Sequence, residues 1–215
     1  MKAAIFDMDG VLIDSEPLHY ESDLVMLKKM NIRVDDANLN NYVGVRISKM
    51  WDDFKKKFKL KMDLEEIVEM HQGIKDELLA KGNYRPIDGV EGLLAGLKDG
   101  GVPVAIASSS SREFIEAVVG KIGIGQYIDV FVSGDEVARS KPEPDIFLEA
   151  AARLKVAPPD CVVIEDSRNG ILAAREAKMK SVGFKNANSG DQDLSAATAV
   201  VESMKAIDLR MLNAL

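Results

Sequence analysis

The stretch IFDMDGVLIDSEPLHY, from Ile5 to Tyr20, sets two aspartates one residue apart at the end of a short apolar run. The segment Lys2 to Phe6 is brief, apolar and close to the N-terminus, so it reads as a buried strand. Side chains of an extended chain alternate faces, which points Asp7 and Asp9 the same way, roughly 7 Å apart. Carboxylates that close repel unless a cation sits nearby or one of them holds a proton. A fold gains nothing from such a pair, whereas chemistry can use it.

Outward from this stretch, Pro17 suits the first residue of a helix, and from there to about Gly82 only helical patterning appears. Leu18, Leu24, Leu27 and Met30 recur at helical spacing, as do Met50, Trp51, Phe54 and Phe58. A third set is Leu64, Ile67, Val68, Ile74, Leu78 and Leu79, and the run Lys55 to Lys61 reads as a solvated helix end. From about Arg85 short apolar runs alternate with helices: Val102–Ala107, Asp129–Gly134, Cys161–Glu165, Ser181–Phe184 and, more weakly, Thr198–Glu202. That alternation predicts an α/β fold, a doubly wound parallel sheet to which the N-terminal strand also belongs. Residues 1–15 and 83–215 then form the α/β core, and 16–82 form a helical insertion.

The 215 residues carry a formal net charge of -7 and are 47% hydrophobic, enough for a substantial core. The acidic balance speaks against a nucleic-acid partner, although a metal or lysine can still draw an anionic substrate. One cysteine, Cys161, excludes an internal disulfide and suits a reducing compartment. The apolar N-terminal run is broken by Asp7 and Asp9, unlike a signal core, and no stretch approaches the ~18 apolar residues of a membrane span. A cytoplasmic protein with no membrane partner is expected, and a monomer.

In an open parallel sheet, ligands bind beyond the carboxyl ends of the strands. The first strand ends in Asp7 and Asp9, the second in Ser108; the loop after the third carries Lys141, and the fourth ends in Glu165 and Asp166. Four separate segments thus bring acids, a hydroxyl and a lysine to one edge. Ser110 with Glu113 fits a capping box, which leaves Ser108 for a ligand. Together these groups suit phosphoryl transfer. Asp7 and Asp166 can hold a hard cation such as Mg2+, and one aspartate of the pair can attack phosphorus. Ser108 and Lys141 can bind phosphoryl oxygens, while the second aspartate moves the proton.

The set DMDGV (Asp7–Val11), Ser108, KPEPD (Lys141–Asp145) and EDSRNG (Glu165–Gly170) resembles the haloacid dehalogenase superfamily of phosphatases and phosphomutases. The insertion looks like the helical cap of its β-phosphoglucomutase-like branch. The resemblance implies Asp7 as nucleophile and metal ligand, and Asp9 as general acid/base that also binds metal through its backbone carbonyl. It implies Ser108 and Lys141 as the phosphate-binding pair, Asp166 with Glu165 as metal-binding acids, and Mg2+, or another divalent cation such as Mn2+, as cofactor. A dehalogenase would need neither the leaving-group acid nor Mg2+.

Within that branch, His19 matches a histidine that β-phosphoglucomutases carry at the start of the cap, and Gly44 and Val45 resemble the substrate-specificity loop. The mutases also carry an arginine after that loop and a lysine further along. A gap-free reading puts Ile47 at the arginine position, with Arg46 one residue off, and puts the lysine position near Met70 and His71. A mutase must grip a bisphosphate, so these departures favour a phosphatase of small phosphorylated sugars over a β-phosphoglucomutase. A receiver-type phospho-accepting signalling module is the non-enzymatic rival. Its phosphorylated aspartate lies on a middle strand, and it lacks a large insertion after the first.

Overall fold

A computed structural model describes residues 1–42 and 45–215 of the chain. Its elements, in order, are β1 (Ala3–Phe6), α1 (Glu16–Lys29), α2 (Val34–Ala37), α3 (Ile47–Phe58), α4 (Leu64–Lys81) and α5 (Val90–Asp99). There follow β2 (Val104–Ser108), α6 (Arg112–Ile122), β3 (Val130–Ser133), α7 (Asp145–Leu154), β4 (Cys161–Glu165), α8 (Arg168–Glu176), β5 (Lys180–Phe184), β6 (Ala199–Val201) and α9 (Leu209–Ala214). The six strands form one parallel sheet in the order β3-β2-β1-β4-β5-β6. The expected doubly wound sheet is therefore present, weak β6 included. Helix α1 begins one residue earlier than expected, at Glu16, with Pro17 in its first turn, where a missing N–H costs nothing.

Strand alternation divides the core. Ala4 and Phe6 of β1 join Ile106, Ile164, Phe114 and Leu94 on one face; Ala3 and Ile5 join Val163, Phe147 and Ala173 on the other. Helices α1, α3 and α4 gather a separate apolar cluster around Trp51, Phe54, Met26 and Ile67. Helix α4 packs mainly on α1 and α3, so this helical layer has an interior of its own and stands over the end of the sheet. Tyr42, Trp51 and Phe58 meet Phe54 edge-on, with centroids 5.1, 5.4 and 5.6 Å away.

The chain reverses direction in strand order between β1 and β4, and a crevice opens there at the carboxyl ends. Phe6 pairs with Ile164, so Asp7 and Glu165 are the next residues on adjacent strands. Among the described residues no helix is long and apolar enough to cross a membrane.

Candidate active site

Sequence position alone carries most of the site to the β1–β4 edge. Asp7, Lys141, Glu165 and Asp166 are all buried. The Lys141 ammonium donates to Asp7 Oδ1 at 2.6 Å and to Glu165 Oε1 at 2.9 Å. Carboxylate oxygens of Asp7, Glu165 and Asp166 lie within 4.8 Å of one another. Three acids thus face one lysine. Burial pushes the Asp7 carboxyl up to about 8, against the pull of Lys141 and with a further push from Glu165 and Asp9. Burial, with Glu165 and Asp7 adding to it, raises Asp166 well above the carboxylate range, while Asp7 and Glu165 hold Lys141 protonated despite its burial. A site with this excess of buried negative charge and hard oxygen donors fits a divalent cation.

Two glycines make the approach possible. Gly10 has φ +75°, and a Cβ there would stand 2.0 Å from Asp166 Oδ2; a Cβ on Gly170 would stand 1.7 Å from Glu165 Oε1. Left-handed backbone and contact at that range both call for glycine. Ser167 caps α8 by accepting from the Gly170 N–H, while its own N–H donates to Glu165 Oε2 at 2.5 Å. Glu165 therefore has each oxygen engaged by the protein.

Asp9 keeps different company. Its Oδ1 receives Ser15 Oγ and His19 Nε2, each at 2.7 Å, and its Oδ2 receives Ser108 Oγ at 3.1 Å and Ser110 Oγ at 3.0 Å. Burial works to raise its pKa, yet His19, Lys75 and Ser15 outweigh it and keep the carboxylate ionised. His19 itself is pushed down by burial and by Lys75, against the attraction of Asp9. The β-strand ends at Phe6 and a tight turn follows, with Gly10 N–H bonded to Ile13 O. Strict alternation does not reach Asp9, so the two aspartates line one cavity with separate partner sets.

That cavity, about 560 Å³, opens between the sheet edge and the helical layer. His19, Arg46 and Lys75 line it from the helical side, and Arg46 Nη2 reaches across to Val137 O at 3.2 Å. The predicted Gly44 lies outside the described residues. Two expectations are corrected. The cap of α6 is Ser111, which accepts from Phe114 N–H at 3.3 Å, and not Ser110, whose hydroxyl is drawn to Asp9. The gap-free reading found no lysine at the mutase position near Met70 and His71, yet α4 does bring a buried lysine to the cavity: Lys75, 2% exposed. His71 is instead a structural link, accepting from Trp51 Nε1 at 2.8 Å and bonded to Ser22 Oγ at 3.0 Å.

Other contributors escaped the sequence reading. Ser189, after β5, donates to Asp166 Oδ2, and Asn186 Nδ2 donates to Gly10 O at 3.0 Å. Asn188 Nδ2 donates to Asp14 Oδ2 at 2.7 Å. This loop follows the fifth strand and obeys the same rule that exposed the others; only its residue types, Asn and Ser, made it resemble an ordinary turn.

The model of the haloacid dehalogenase-like hydrolases matches residues 4–184. The chain belongs to this family. Hexitol phosphatase B of Escherichia coli is 34% identical over 183 residues, 84% of this chain and 82% of that protein. Among solved structures, CbbY from Rhodobacter sphaeroides in complex with phosphate superposes with a TM-score of 0.88 at 25% identity, covering 99% of each chain. A β-phosphoglucomutase from Clostridium difficile superposes with a TM-score of 0.87 at 25% identity, covering 100% of this chain and 96% of that one. The dehalogenase-like hydrolase fold thus extends through the helical layer as well as the sheet.

Proposed function

We propose that this family member is a phosphatase of small phosphorylated sugars or sugar alcohols, working through an aspartyl-phosphate on Asp7. The observation that carries the reading is the separation of Asp7 from Asp9. Asp7 lies among the acids and Lys141, where an attacking oxygen and a phosphoryl group need positive charge. Asp9 lines the same cavity and is bonded to Ser15 and His19 at the start of α1, toward which a leaving group would depart.

Asp7, Asp166 and the adjacent Glu165 would hold Mg2+ or Mn2+, which when bound offsets the charge between nucleophile and phosphate. The chain's own residues supply the remainder. An Asp7 oxygen bonds to phosphorus as the bond to the leaving oxygen breaks, and Asp9 gives that oxygen a proton. Asp9 is ionised in the empty cavity; the arrival of a phosphate dianion beside it raises its proton affinity, and it takes up a proton from solvent before the leaving oxygen departs. Asp9 then takes a proton from water, whose oxygen attacks phosphorus and frees Asp7. Ser108 and Lys141 bind phosphoryl oxygens throughout, and Glu165 keeps Lys141 aimed by the 2.9 Å bond.

Helices α1 to α4 act in this reading as the cap, and the phosphatases among its relatives, that of E. coli included, support phosphate-ester hydrolysis. The family match sets aside the receiver-type alternative. A β-phosphoglucomutase reading draws on the mutase among the structural relatives and on Arg46 and Lys75 at the cavity. The deciding assay measures Mg2+-dependent phosphate release from hexitol, hexose and pentose phosphates. Beside it, β-glucose 1-phosphate primed with glucose 1,6-bisphosphate is followed for glucose 6-phosphate. Phosphate release without isomerisation is expected; isomerisation with little free phosphate overturns the phosphatase.

A further inference from the structure

Three carboxylates meet at the β1–β4 edge, yet the protein itself consumes most of their oxygens. Lys141 takes Asp7 Oδ1 and Glu165 Oε1, and the Ser167 N–H takes Glu165 Oε2. Asp166 Oδ2 accepts from Ser189 Oγ. Among the described residues this leaves one unbonded carboxylate oxygen on Asp7 and one on Asp166. A cation at the cluster is therefore offered single oxygens from two aspartates, and not a two-oxygen clamp from either.

Ser189 is firmly placed for its part in this. It is buried, and its backbone is pinned on both sides: its N–H donates to Asn186 O at 3.3 Å, and its carbonyl accepts from Gln192 Nε2 at 3.0 Å. Asn186 Nδ2 in turn holds Gly10 O, and Gln192 Oε1 accepts from the Arg168 N–H at the start of α8, each at 3.0 Å. The serine is thus tied both to the turn after β1 and to the helix that follows Asp166. A Cβ on Gly10 would stand 2.0 Å from Asp166 Oδ2 and 3.0 Å from Ser189 Oγ. The Gly10 backbone therefore hems in the same oxygen that the serine bonds. A hydrogen bond to an ionised oxygen is of the stronger kind, and turning Oδ2 onto a cation would break it.

That restriction separates one cation from another. Mg2+ demands near-octahedral geometry and takes one or two carboxylates with waters and phosphate oxygens, whereas Ca2+ gathers more oxygens in a looser shell, often both from one carboxylate. We propose that Ser189 is a positioning residue that confines Asp166 to one donor oxygen, and that the site thereby selects Mg2+ over Ca2+. This rests on the reading that a divalent cation binds at Asp7 and Asp166, and not on which ester is cleaved.

The test is calorimetry on the full chain without substrate, titrated with Mg2+ and, separately, with Ca2+. The parent is expected to bind Mg2+ more tightly. Ser189→Ala is expected to weaken Mg2+ about tenfold, as loss of a ligand's supporting bond does. Ca2+ should weaken less than about threefold, because the freed Oδ2 can join the larger ion. Ser189→Cys, whose thiol is a weak donor, should move the ratio of the two constants the same way by less. Asn188→Ala removes a different bond of the same loop, the 2.7 Å contact with Asp14 Oδ2, and should leave the ratio within about twofold of the parent. A serine serving structure alone would lower the melting temperature and leave the ratio unmoved. A parent that prefers Ca2+, a Ser189→Ala protein that loses both cations equally, or an Asn188→Ala protein that shifts the ratio as far, overturns the proposal. A parent that binds neither cation, or whose Mg2+ affinity survives Asp166→Asn, overturns the cation reading itself and the proposal with it. Turnover enters none of these measurements, so failure of the phosphatase reading shows separately, as absent phosphate release.

Discussion

The ammonium of Lys75, on α4 of the helical layer, stands 4.1 Å from the ring centroid of Phe114, on α6 of the sheet domain. The His19 ring lies 6.2 Å from the same phenyl group. Phe114 is fully buried, so one aromatic residue of the core supports two polar groups of the cavity from beneath. A cation over a desolvated ring is held by roughly 1–2 kcal/mol. Phe114→Leu keeps an apolar side chain but loses the ring face. The expected result is a kcat/KM reduced about three- to tenfold, measured well below the melting temperature, beside a modest loss of stability. Unchanged kinetics in a destabilised variant would show that the ring serves packing alone.

Gly170→Ala tests how strictly Glu165 is placed. The new Cβ would meet Glu165 Oε1 at 1.7 Å, so Glu165 must move, and with it the 2.9 Å bond that aims Lys141. Overpacking of this kind costs about 1–3 kcal/mol. Thermal melting is expected to fall, and kcat to fall further than kcat in a control of equal stability. A variant with normal turnover would mean that Lys141 is aimed by Asp7 alone.

Divalent cations should stabilise the folded protein through the acid cluster. A ligand present at 100 times its dissociation constant adds about 2.7 kcal/mol, which is a rise of several degrees for a chain of this size. Mg2+ or Mn2+ is expected to give that rise at pH 8. Asp166→Asn should remove most of it, since Asp166 is one of the three clustered acids. Asp9→Asn should retain it, because the Asp9 carboxylate is bonded to Ser15, His19, Ser108 and Ser110 instead. An Asp166→Asn protein stabilised as much as the parent would place the cation elsewhere.

What was legible in the sequence followed from local rules. Asp7, Ser108, Glu165 and Asp166 end or follow buried strands, and the strand-end rule needs only the strand to be recognised. Lys75 obeys no such rule. Helix α4 buries Ile67, His71, Lys75 and Leu79, a stripe spaced by four in which two positions are polar. Apolar periodicity therefore marked Ile67 and Leu79 at its ends, beside Ile74 and Leu78, and passed over His71 and Lys75 between them. The role of Ser110 was hidden for a related reason. Serines at 108 to 111 all suit a strand-to-helix junction, and only the tertiary position of Asp9 decides which one caps and which one turns inward.

His71 allows a test of the helical layer by pH. Trp51 Nε1–H donates to its Nδ1, which leaves the proton on Nε2, bonded to Ser22 Oγ; Ser22 in turn donates to His19 O at 2.8 Å. The chain from Trp51 to the His19 carbonyl thus requires a neutral imidazole. Burial, with Lys75 and His19 adding to it, pushes His71 from 6.5 down to about 3. Between those values the unfolded chain takes up a proton that the folded chain refuses, so the contribution of His71 to stability is present above about 6.5 and is lost as pH falls. Glu16 and Asp23, raised to about 7, act in the opposite direction and lose stability as pH rises. The two effects separate in a comparison with His71→Gln, whose amide can still accept from Trp51 and donate to Ser22. Urea unfolding at pH 7.5, 6 and 5 should show the parent losing ground to this variant below pH 6.5, by up to about 1.4 kcal/mol per pH unit. A difference that stays constant with pH would mean that His71 titrates normally in the folded state, and that the link from α3 through α4 to His19 tolerates an imidazolium.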